Sequence, residues 1–343
     1  MKIAFMLPGG GFSGGIRVTV VEANYLLKRG HKVRILVKKR PTSPRVIYRY
    51  LRDYIIHSAY SAHSWLEDFL GKIEYFGENE ECKFDNDEII VGVGIEVTGQ
   101  MVKLNSLPNA KIQYIHGATP WTPDLEKQAL SLPVPKIVVS SYLKALAESY
   151  GGDNVMAVIP NGIDQAEYYC SVNDSQRNGI GTIYSSSGAK DPRTILACIE
   201  KMRRDKPEVP IRVFGVDRRP KQVGRHFYWR FPSVEKAREI YSKSLVWIIA
   251  SMSEGFSSPV LEAMACGAVP VATDCGGTKD IIADGENGLL AKVGDVDQIV
   301  DRALILLKDK QRRNRMQIKA EETVGMFTWD RTIDALENAL RKL

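Results

Sequence analysis

Short runs rich in valine and isoleucine alternate with helical stretches along most of this chain, a pattern that parallel sheets covered by helices accommodate. The first runs are Ile3 to Leu7, Val33 to Val37, Glu88 to Val93, Lys111 to Ile115, Lys136 to Val139 and Val155 to Ile159. A second series comprises Gly181 to Ser185, Ile211 to Phe214, Leu245 to Ala250 and Val269 to Thr273. Between the two, Gln165 to Gly179 is polar and aperiodic and reads as a linker. A length of 343 residues exceeds one ordinary core, so the expectation is an α/β protein of two doubly wound units. Ligands of such sheets bind beyond the carboxyl ends of the strands, which places the site in a cleft between the units.

Hydrophobic residues make up 44% and charged residues 26%, the balance of a soluble globular protein. No apolar run reaches the roughly 18 residues that span a bilayer. The N-terminal MKIAFMLPGGG reads as a first strand ending in glycines rather than as a signal peptide. Five cysteines, an odd number without a CxxC pair, point to reduced thiols in a cytoplasmic setting.

The most chemically specific segment is SEGFSSPVLEAMACG, Ser253 to Gly267, with seven residues between Glu254 and Glu262. Ser258 is placed to cap a helix, Pro259 suits its first turn and Gly267 its end. Two carboxylates then flank a row of backbone N–H groups at a helix N-terminus. Helix N-termini bind phosphate and carboxylates accept hydrogen bonds from hydroxyls, so a nucleotide sugar fits the segment. The bland alternative is a capped surface helix bearing two solvated acids.

This segment resembles the signature of glycosyltransferase family 4, retaining enzymes of the GT-B architecture. The resemblance continues through KIVVSSYLKALAESYG, VIPNGID (with Pro160 to Asp164), ACGAVPVATDCGGTKDII and DGENGLLAKVGD, covering Lys136 to about Asp295. It implies two Rossmann-like domains, an acceptor-side domain over 1–165 and a donor domain over 166–325, with a last helix at about 326–343 crossing back onto the first. It implies that Glu254 meets the transferred sugar, that Glu262 meets the ribose hydroxyls, and that Gly255, Phe256, Ser257, Ser258, Pro259 and Val260 line the donor between them. Gly276 and Gly277 precede a helix expected near Thr278; they either contribute backbone donors or simply supply φ > 0. Residues Pro41 to Ala110 carry no usable resemblance.

After the first strand, Gly9, Gly11 and Gly14 satisfy G-x-G-x-x-G ahead of a helix with apolar positions Ile16, Val20, Ala23 and Leu27. This supports a rival, a dinucleotide-dependent oxidoreductase. The second strand ends in Lys38, Lys39 and Arg40 rather than an acid, so the rival would use NADP. It lacks a Tyr-x-x-x-Lys pair and leaves the carboxylate-bearing helix unexplained. The family resemblance instead makes Gly14 and Gly15 close-approach positions for donor phosphate and acceptor.

His116 closes the strand in KIQYIHGATPW, where the family places a histidine against the donor sugar; a lone histidine is otherwise more often structural. Trp121 either stacks on an acceptor ring or packs. Lys190 follows SSSGA where the family reads Gly-Arg, four residues, then Lys, and the arginine position falls on Ser185. Lys190 is therefore the candidate cation for the leaving diphosphate, with Arg193, Arg218 or Arg230 as substitutes for the missing charge. The DxD at Asp85 to Asp87 reads as solvent-exposed rather than as a metal site, and no HExxH occurs, so neither metal nor cofactor is expected.

The net charge is +6, with a local excess in Arg34, Lys38, Lys39, Arg40, Arg45, Arg49 and Arg52. Ile47, Leu51, Tyr54 and Ile55 can share one helical face beside it. Such a helix either docks on anionic lipid, suiting a lipid-linked acceptor at the inner face of a membrane, or packs on the core with a solvated basic edge. No nucleic-acid motif accompanies the charge. The reading is a metal-independent retaining glycosyltransferase in glycan, glycolipid or surface polysaccharide synthesis. The alternatives are a catalytically silent sugar-nucleotide-binding protein, which Ser185 motivates, and the NADP oxidoreductase. Base, sugar, acceptor, linkage and oligomeric state are not encoded in these spacings.

Overall fold

The computed structural model describes residues 1–11, 13–39, 64–77, 82–104, 107–152 and 154–343. They divide into two compact units. The first holds Met1–Val139, Leu143–Ile159 and Ile333–Leu343; the second holds Ser140–Tyr142 and Pro160–Thr332.

In the first unit the described strands are β1 (Lys2–Leu7), β2 (Lys32–Lys38), β3 (Lys72–Phe76), β4 (Glu88–Val93), β5 (Lys111–Ile115), β6 (Lys136–Val138) and β7 (Val155–Val158). They form a parallel sheet in the order β3-β2-β1-β4-β5-β6-β7. The first half of the chain also carries helices α1 (Gly14–Lys28), α2 (Thr98–Lys103), α3 (Pro123–Ser131) and α4 (Ser141–Ser149). Ala4, Met6, Ile90, Val97 and Met101 form part of a core against the sheet. On α1 the buried apolar positions include Ile16, Val20, Ala23 and Leu26. Leu26, one residue before the expected Leu27, completes the inner face because the helical stripe advances by three or four residues.

The second unit has β8 (Ile180–Ile183), β9 (Ile211–Gly215), β10 (Tyr228–Arg230), β11 (Val246–Ile249), β12 (Val269–Thr273) and β13 (Leu289–Ala291). These too are parallel, in the order β10-β9-β8-β11-β12-β13. Its helices are α5 (Pro192–Asp205), α6 (Val234–Lys243), α7 (Ser258–Ala265), α8 (Val296–Lys308) and α9 (Lys310–Val324), followed by α10 (Trp329–Leu340). Ile180, Val213, Ile248, Val271, Ile299 and Leu306 are among the residues of its core.

Three strands escaped the sequence reading: β3, β10 and β13. All lie at sheet edges, where one side has no partner and side chains need not be apolar on both faces. Gln165 to Gly179 lies within the second unit, where Tyr168 and Arg177 are buried and Arg177 Nε donates to the Ser242 carbonyl at 3.0 Å. Residues Ile333–Leu343 belong to the first unit: Arg29 pairs with Asp334 at 2.6 Å, and His31 Nε2 is hydrogen-bonded to Glu337 Oε1 at 2.9 Å. Among the described residues, no helix is long and apolar enough to cross a membrane.

Candidate functional site

In the second sheet the strand sequence runs outward from β8 to β10 on one side and from β11 to β13 on the other. The direction reverses between β8 and β11, and in open parallel sheets ligands bind at such a reversal, beyond the carboxyl ends of the strands. Lys190 sits on the loop after β8 and Glu254 on the loop after β11. Lys190 Nζ donates to Glu254 Oε1 at 2.6 Å. The turn is fixed on both sides of the lysine. The Ala189 carbonyl accepts from the N–H groups of Met252 (2.8 Å) and Ser253 (3.2 Å). Asp191 takes a left-handed φ of 42° and caps α5 by accepting from Thr194 N (3.2 Å) and Thr194 Oγ1 (2.6 Å).

Glu254 is nearly buried, and its Oε1 also accepts from Ser251 Oγ at 2.6 Å. Two glycines hold its loop from behind. The N–H of Gly277 donates to the Glu254 carbonyl at 2.9 Å. A Cβ on Gly276 would stand 2.3 Å from that carbonyl oxygen, and one on Gly277 would stand 2.1 Å from the Gly255 oxygen. Gly276 has φ +59°, the left-handed backbone that one of the two suggested uses requires, and both glycines also admit close approach of the Glu254 loop, on which Gly277 spends its N–H. The following element is a 3₁₀ turn, Gly276–Asp280, and starts two residues before the expected Thr278.

Glu262 lies one turn into α7 and accepts from Tyr241 Oη on α6 at 2.8 Å. Tyr241 is sealed among Trp247 and Phe214, and burial followed by the Glu262 charge pushes its phenol well above the usual range. It remains a donor. The helix N-terminus departs from expectation. Ser257, not Ser258, is the N-cap, and it makes no side-chain capping bond. The N–H groups of Ser258 and Val260 are turned inward to the carbonyls of Phe256 (3.1 Å) and Ser257 (2.9 Å), and Pro259 has none. Among the described residues, the N–H groups of Gly255, Phe256 and Ser257 have no acceptor, so the available donors precede the helix. The side chains of Phe256 and Val260 are core, Phe256 packing 5.7 Å from the Phe327 ring. Ser258 Oγ accepts from Asn161 Nδ2 at 3.5 Å.

Around the position expected to carry arginine, Ser185 Oγ accepts from Ser187 N at 3.2 Å, and Asp217 Oδ2 accepts from Ser186 N at 2.6 Å. Arg230 donates to the Val216 carbonyl at 3.1 Å and lies 5.0 Å over the ring of Phe231. Phe231 itself has φ +49°, an uncommon backbone for an aromatic residue. Among the described residues, none of Arg193, Arg218 and Arg230 forms an ion pair.

In the first unit, Gly14 and Gly15 open α1, capped by Ser13 Oγ accepting from Ile16 N at 3.4 Å. A Cβ at Gly15 would lie 3.4 Å from the Cβ of His116. His116 follows β5 and both its ring nitrogens are shielded from solvent without a hydrogen-bond partner among the described residues. Burial pushes its imidazole down to about 3, so the ring is neutral at physiological pH. Beneath it, Tyr114 Oη donates to Glu22 Oε1 at 2.8 Å. Burial drives the Glu22 carboxyl up to about 8, the Tyr114 hydrogen bond opposing the shift. Sequence reading passed over Glu22 and Tyr114. The available signal was a glutamate among Val18, Val20 and Ala23 on the buried face of α1.

Trp121 is exposed. Asp85 and Asp87 pair with Lys2 Nζ at 2.9 and 2.8 Å. Arg34 does not belong to a free basic surface: it pairs with Glu88 at 2.7 Å and Glu74 at 3.0 Å. Arg40, Arg45, Arg49 and Arg52, with the face of Ile47, Leu51, Tyr54 and Ile55, lie outside the described residues. Among the described residues, no three His, Cys, Asp or Glu side chains gather as a metal site.

Residues 189–323 match the sequence model of the family described as glycosyl transferases group 1, which spans both Lys190 and the two glutamates. N-acetyl-alpha-D-glucosaminyl L-malate synthase of Bacillus anthracis is 36% identical over 90 residues, 26% of this chain and 24% of that enzyme. Phosphatidyl-myo-inositol mannosyltransferase of Mycolicibacterium smegmatis is 25% identical over 345 residues, covering 92% of this chain and 87% of the relative. The chain thus spans under a third of the length of some curated relatives and most of others. Among solved structures, Anabaena HepE in complex with UDP superposes with a TM-score of 0.76 over 100% of both chains at 15% identity. Sucrose-phosphate synthase from Thermosynechococcus elongatus gives 0.71 over 100% and 98%, also at 15% identity. These likenesses show the fold, two Rossmann-like units of the GT-B type.

Proposed function

We propose that the chain is a retaining glycosyltransferase that moves a sugar from a nucleoside diphosphate sugar to an acceptor hydroxyl without a metal ion. The observation that carries this reading is the Lys190–Glu254 pair at the strand-order reversal of the second unit, with Glu262 one turn into the adjoining helix. As the bond from the anomeric carbon to the diphosphate breaks, negative charge collects on the leaving group. Lys190 and the amides of Gly255 to Ser257 receive it. Glu254 orients the sugar hydroxyls, Glu262 holds the ribose, and the neutral His116 contacts the donor sugar. The uridine nucleotide in the Anabaena HepE structure favours UDP as the first donor base to try. A glycan or lipid-linked acceptor, and docking of the 40–55 basic segment on the inner face of an anionic membrane, complete the proposal.

Ser185, in place of a family arginine and engaged by the Ser187 N–H, favours one second reading: a sugar-nucleotide-binding protein without turnover. Isothermal titration with UDP, GDP, ADP and dTDP sugars and with NADPH separates the cases. Binding of a nucleotide sugar with slow hydrolysis of it in the presence of EDTA is the expected result. Binding without hydrolysis or transfer supports the silent protein, binding of NADPH alone supports an oxidoreductase, and loss of turnover in EDTA restored by a divalent cation overturns metal independence.

A further inference from the structure

His116 is the side chain on which the proposed donor contact in the first unit depends, yet among the described residues nothing hydrogen-bonds to either of its ring nitrogens. Its orientation is therefore set by what it packs against. The ring of Tyr114 lies 4.2 Å away at an angle of 41°. The first turn of α1 packs beside the histidine as well: a Cβ at position 15 would stand in ordinary contact with it, 3.4 Å from the His116 Cβ, and Thr19 Oγ1 donates to the Gly15 carbonyl at 2.9 Å.

Tyr114 is in turn fixed by Glu22. Both are fully buried, and the phenol donates to Glu22 Oε1 at 2.8 Å. Glu22 Oε2 is left without a partner. An orphaned carboxyl oxygen inside an apolar face is costly, and a leucine or methionine would pack there without that cost. What a carboxyl offers and an apolar side chain lacks is a directional acceptor that sets the plane of the tyrosine. We propose that Glu22 and Tyr114 are positioning residues for His116, a buried carboxyl–phenol pair that holds the imidazole against the first turn of α1.

The pair works in its neutral form. Burial and the Tyr114 hydrogen bond act on Glu22, burial and Glu22 act on Tyr114, and burial alone acts on His116, so among the described residues no cation or further carboxylate disturbs the set. Ionisation of Glu22 at alkaline pH would place a charge in a site without solvent, a cost that the Tyr114 hydrogen bond offsets only in part, and would disturb the packing of the set. This inference rests on the proposed contact of His116 with the donor sugar, and its test separates the two.

The test measures donor turnover from pH 6 to 9.5, and the ¹⁵N resonances of the His116 ring, in Tyr114→Phe, Glu22→Leu, Glu22→Gln and His116→Ala. Tyr114→Phe and Glu22→Leu are expected to lower kcat roughly ten- to a hundredfold with little change in KM, the scale of a misplaced catalytic contact, and to be no worse combined. Glu22→Gln remains a neutral acceptor, so it is expected to recover most of the turnover lost in Glu22→Leu and to remove the alkaline fall in activity. The His116 resonances should shift in Tyr114→Phe. Unchanged resonances and an unchanged pH profile in Tyr114→Phe and Glu22→Gln would overturn the proposal. His116→Ala with full turnover would refute the sugar contact instead, while the resonances still judge the positioning. Should Glu22→Leu fail to fold, Glu22→Gln and Tyr114→Phe decide alone.

Discussion

Lys190 and Glu254 form a 2.6 Å ion pair although they belong to loops after different strands, β8 and β11. Their side chains are 35% and 8% exposed, so the lysine reaches solvent while the carboxylate does not. The proposed phosphate cation and sugar-binding carboxylate thus neutralise one another.

Replacing Lys190 by alanine is expected to lower kcat by one to two decades with a smaller rise in KM, because leaving-group charge peaks in the transition state. That corresponds to about 1.5–3 kcal/mol for a charge-assisted contact. Stability should also fall by about 1 kcal/mol, reduced by the lysine's exposure and by the hydrogen bond that Ser251 retains to Glu254. Steady-state kinetics beside a denaturation curve check both, and unchanged kcat and KM would assign the diphosphate to another cation.

The two glutamates should separate by effect. Loss of Glu262 weakens binding of free nucleoside diphosphate and of donor together, whereas loss of Glu254 spares the free nucleotide and damages transfer. Tyr241→Phe removes the donor to Glu262 and is expected to weaken nucleotide binding several-fold, in line with about 1 kcal/mol for one hydrogen bond. Equal losses of nucleotide affinity in Glu254→Ala and Glu262→Ala, both folded, would reject these assignments.

A methyl group at position 277 has nowhere to go, since its Cβ would lie 2.1 Å from a backbone oxygen of the Glu254 loop. Gly277→Ala is expected to displace that loop and lower donor affinity at least tenfold, with a destabilisation of roughly 1–3 kcal/mol from overpacking. Gly285→Ala tests the specificity of this effect. Its Cβ would meet nothing, so it should carry only the strain of φ +88° and leave affinity intact.

Glu22 and His116 predict opposite pH dependences of stability. A carboxyl raised from its ordinary value of 4.5 to about 8 in the folded state contributes stability that is fully present below 4.5 and lost as pH rises through 8. Glu22→Gln should therefore gain on the wild type across that window, by a few kcal/mol at most. An imidazole lowered from 6.5 to about 3 is stabilising above 6.5, and that contribution is lost as pH falls through 3. Urea titrations at pH 4, 6 and 8.5 read both effects, and a pH-independent difference for Glu22→Gln would contradict the buried neutral acid.

Membrane docking predicts sedimentation with anionic vesicles at low salt and release as salt rises, because the Debye length shortens from about 30 Å at 0.01 M to about 10 Å at 0.1 M. Charge reversal at Arg45, Arg49 and Arg52 should abolish the sedimentation. A wild type that ignores anionic vesicles at low salt would overturn membrane docking.

The interior strands of both sheets were legible because strands such as β1 and β11, covered on both faces, are written as continuous apolar runs. Glu254 and Glu262 were legible because one short segment carries both, and Lys190 because of the motif that follows β8. The partners that orient them were not. Tyr241 reaches Glu262 from another helix, and Glu22 meets Tyr114 across 92 positions of sequence, so nothing in a short window connects them. The direction of the amides was equally hidden. Serines occupy both 257 and 258, and only the backbone at the start of α7 shows that the former is the cap and that the free N–H groups precede it.

The first unit is assembled from both ends of the sequence, with Pro160–Thr332 of the second intervening before Ile333–Leu343 return to it. Synthesis runs from the N-terminus, and domains generally fold as units while the chain emerges. The second unit can then close from one nearly continuous stretch while the first still awaits its last helix. During that interval Glu337 has not reached His31, and the surface that Ile333–Leu343 will cover is left bare. A stop codon after Thr332 would thus fall hardest on the unit encoded first.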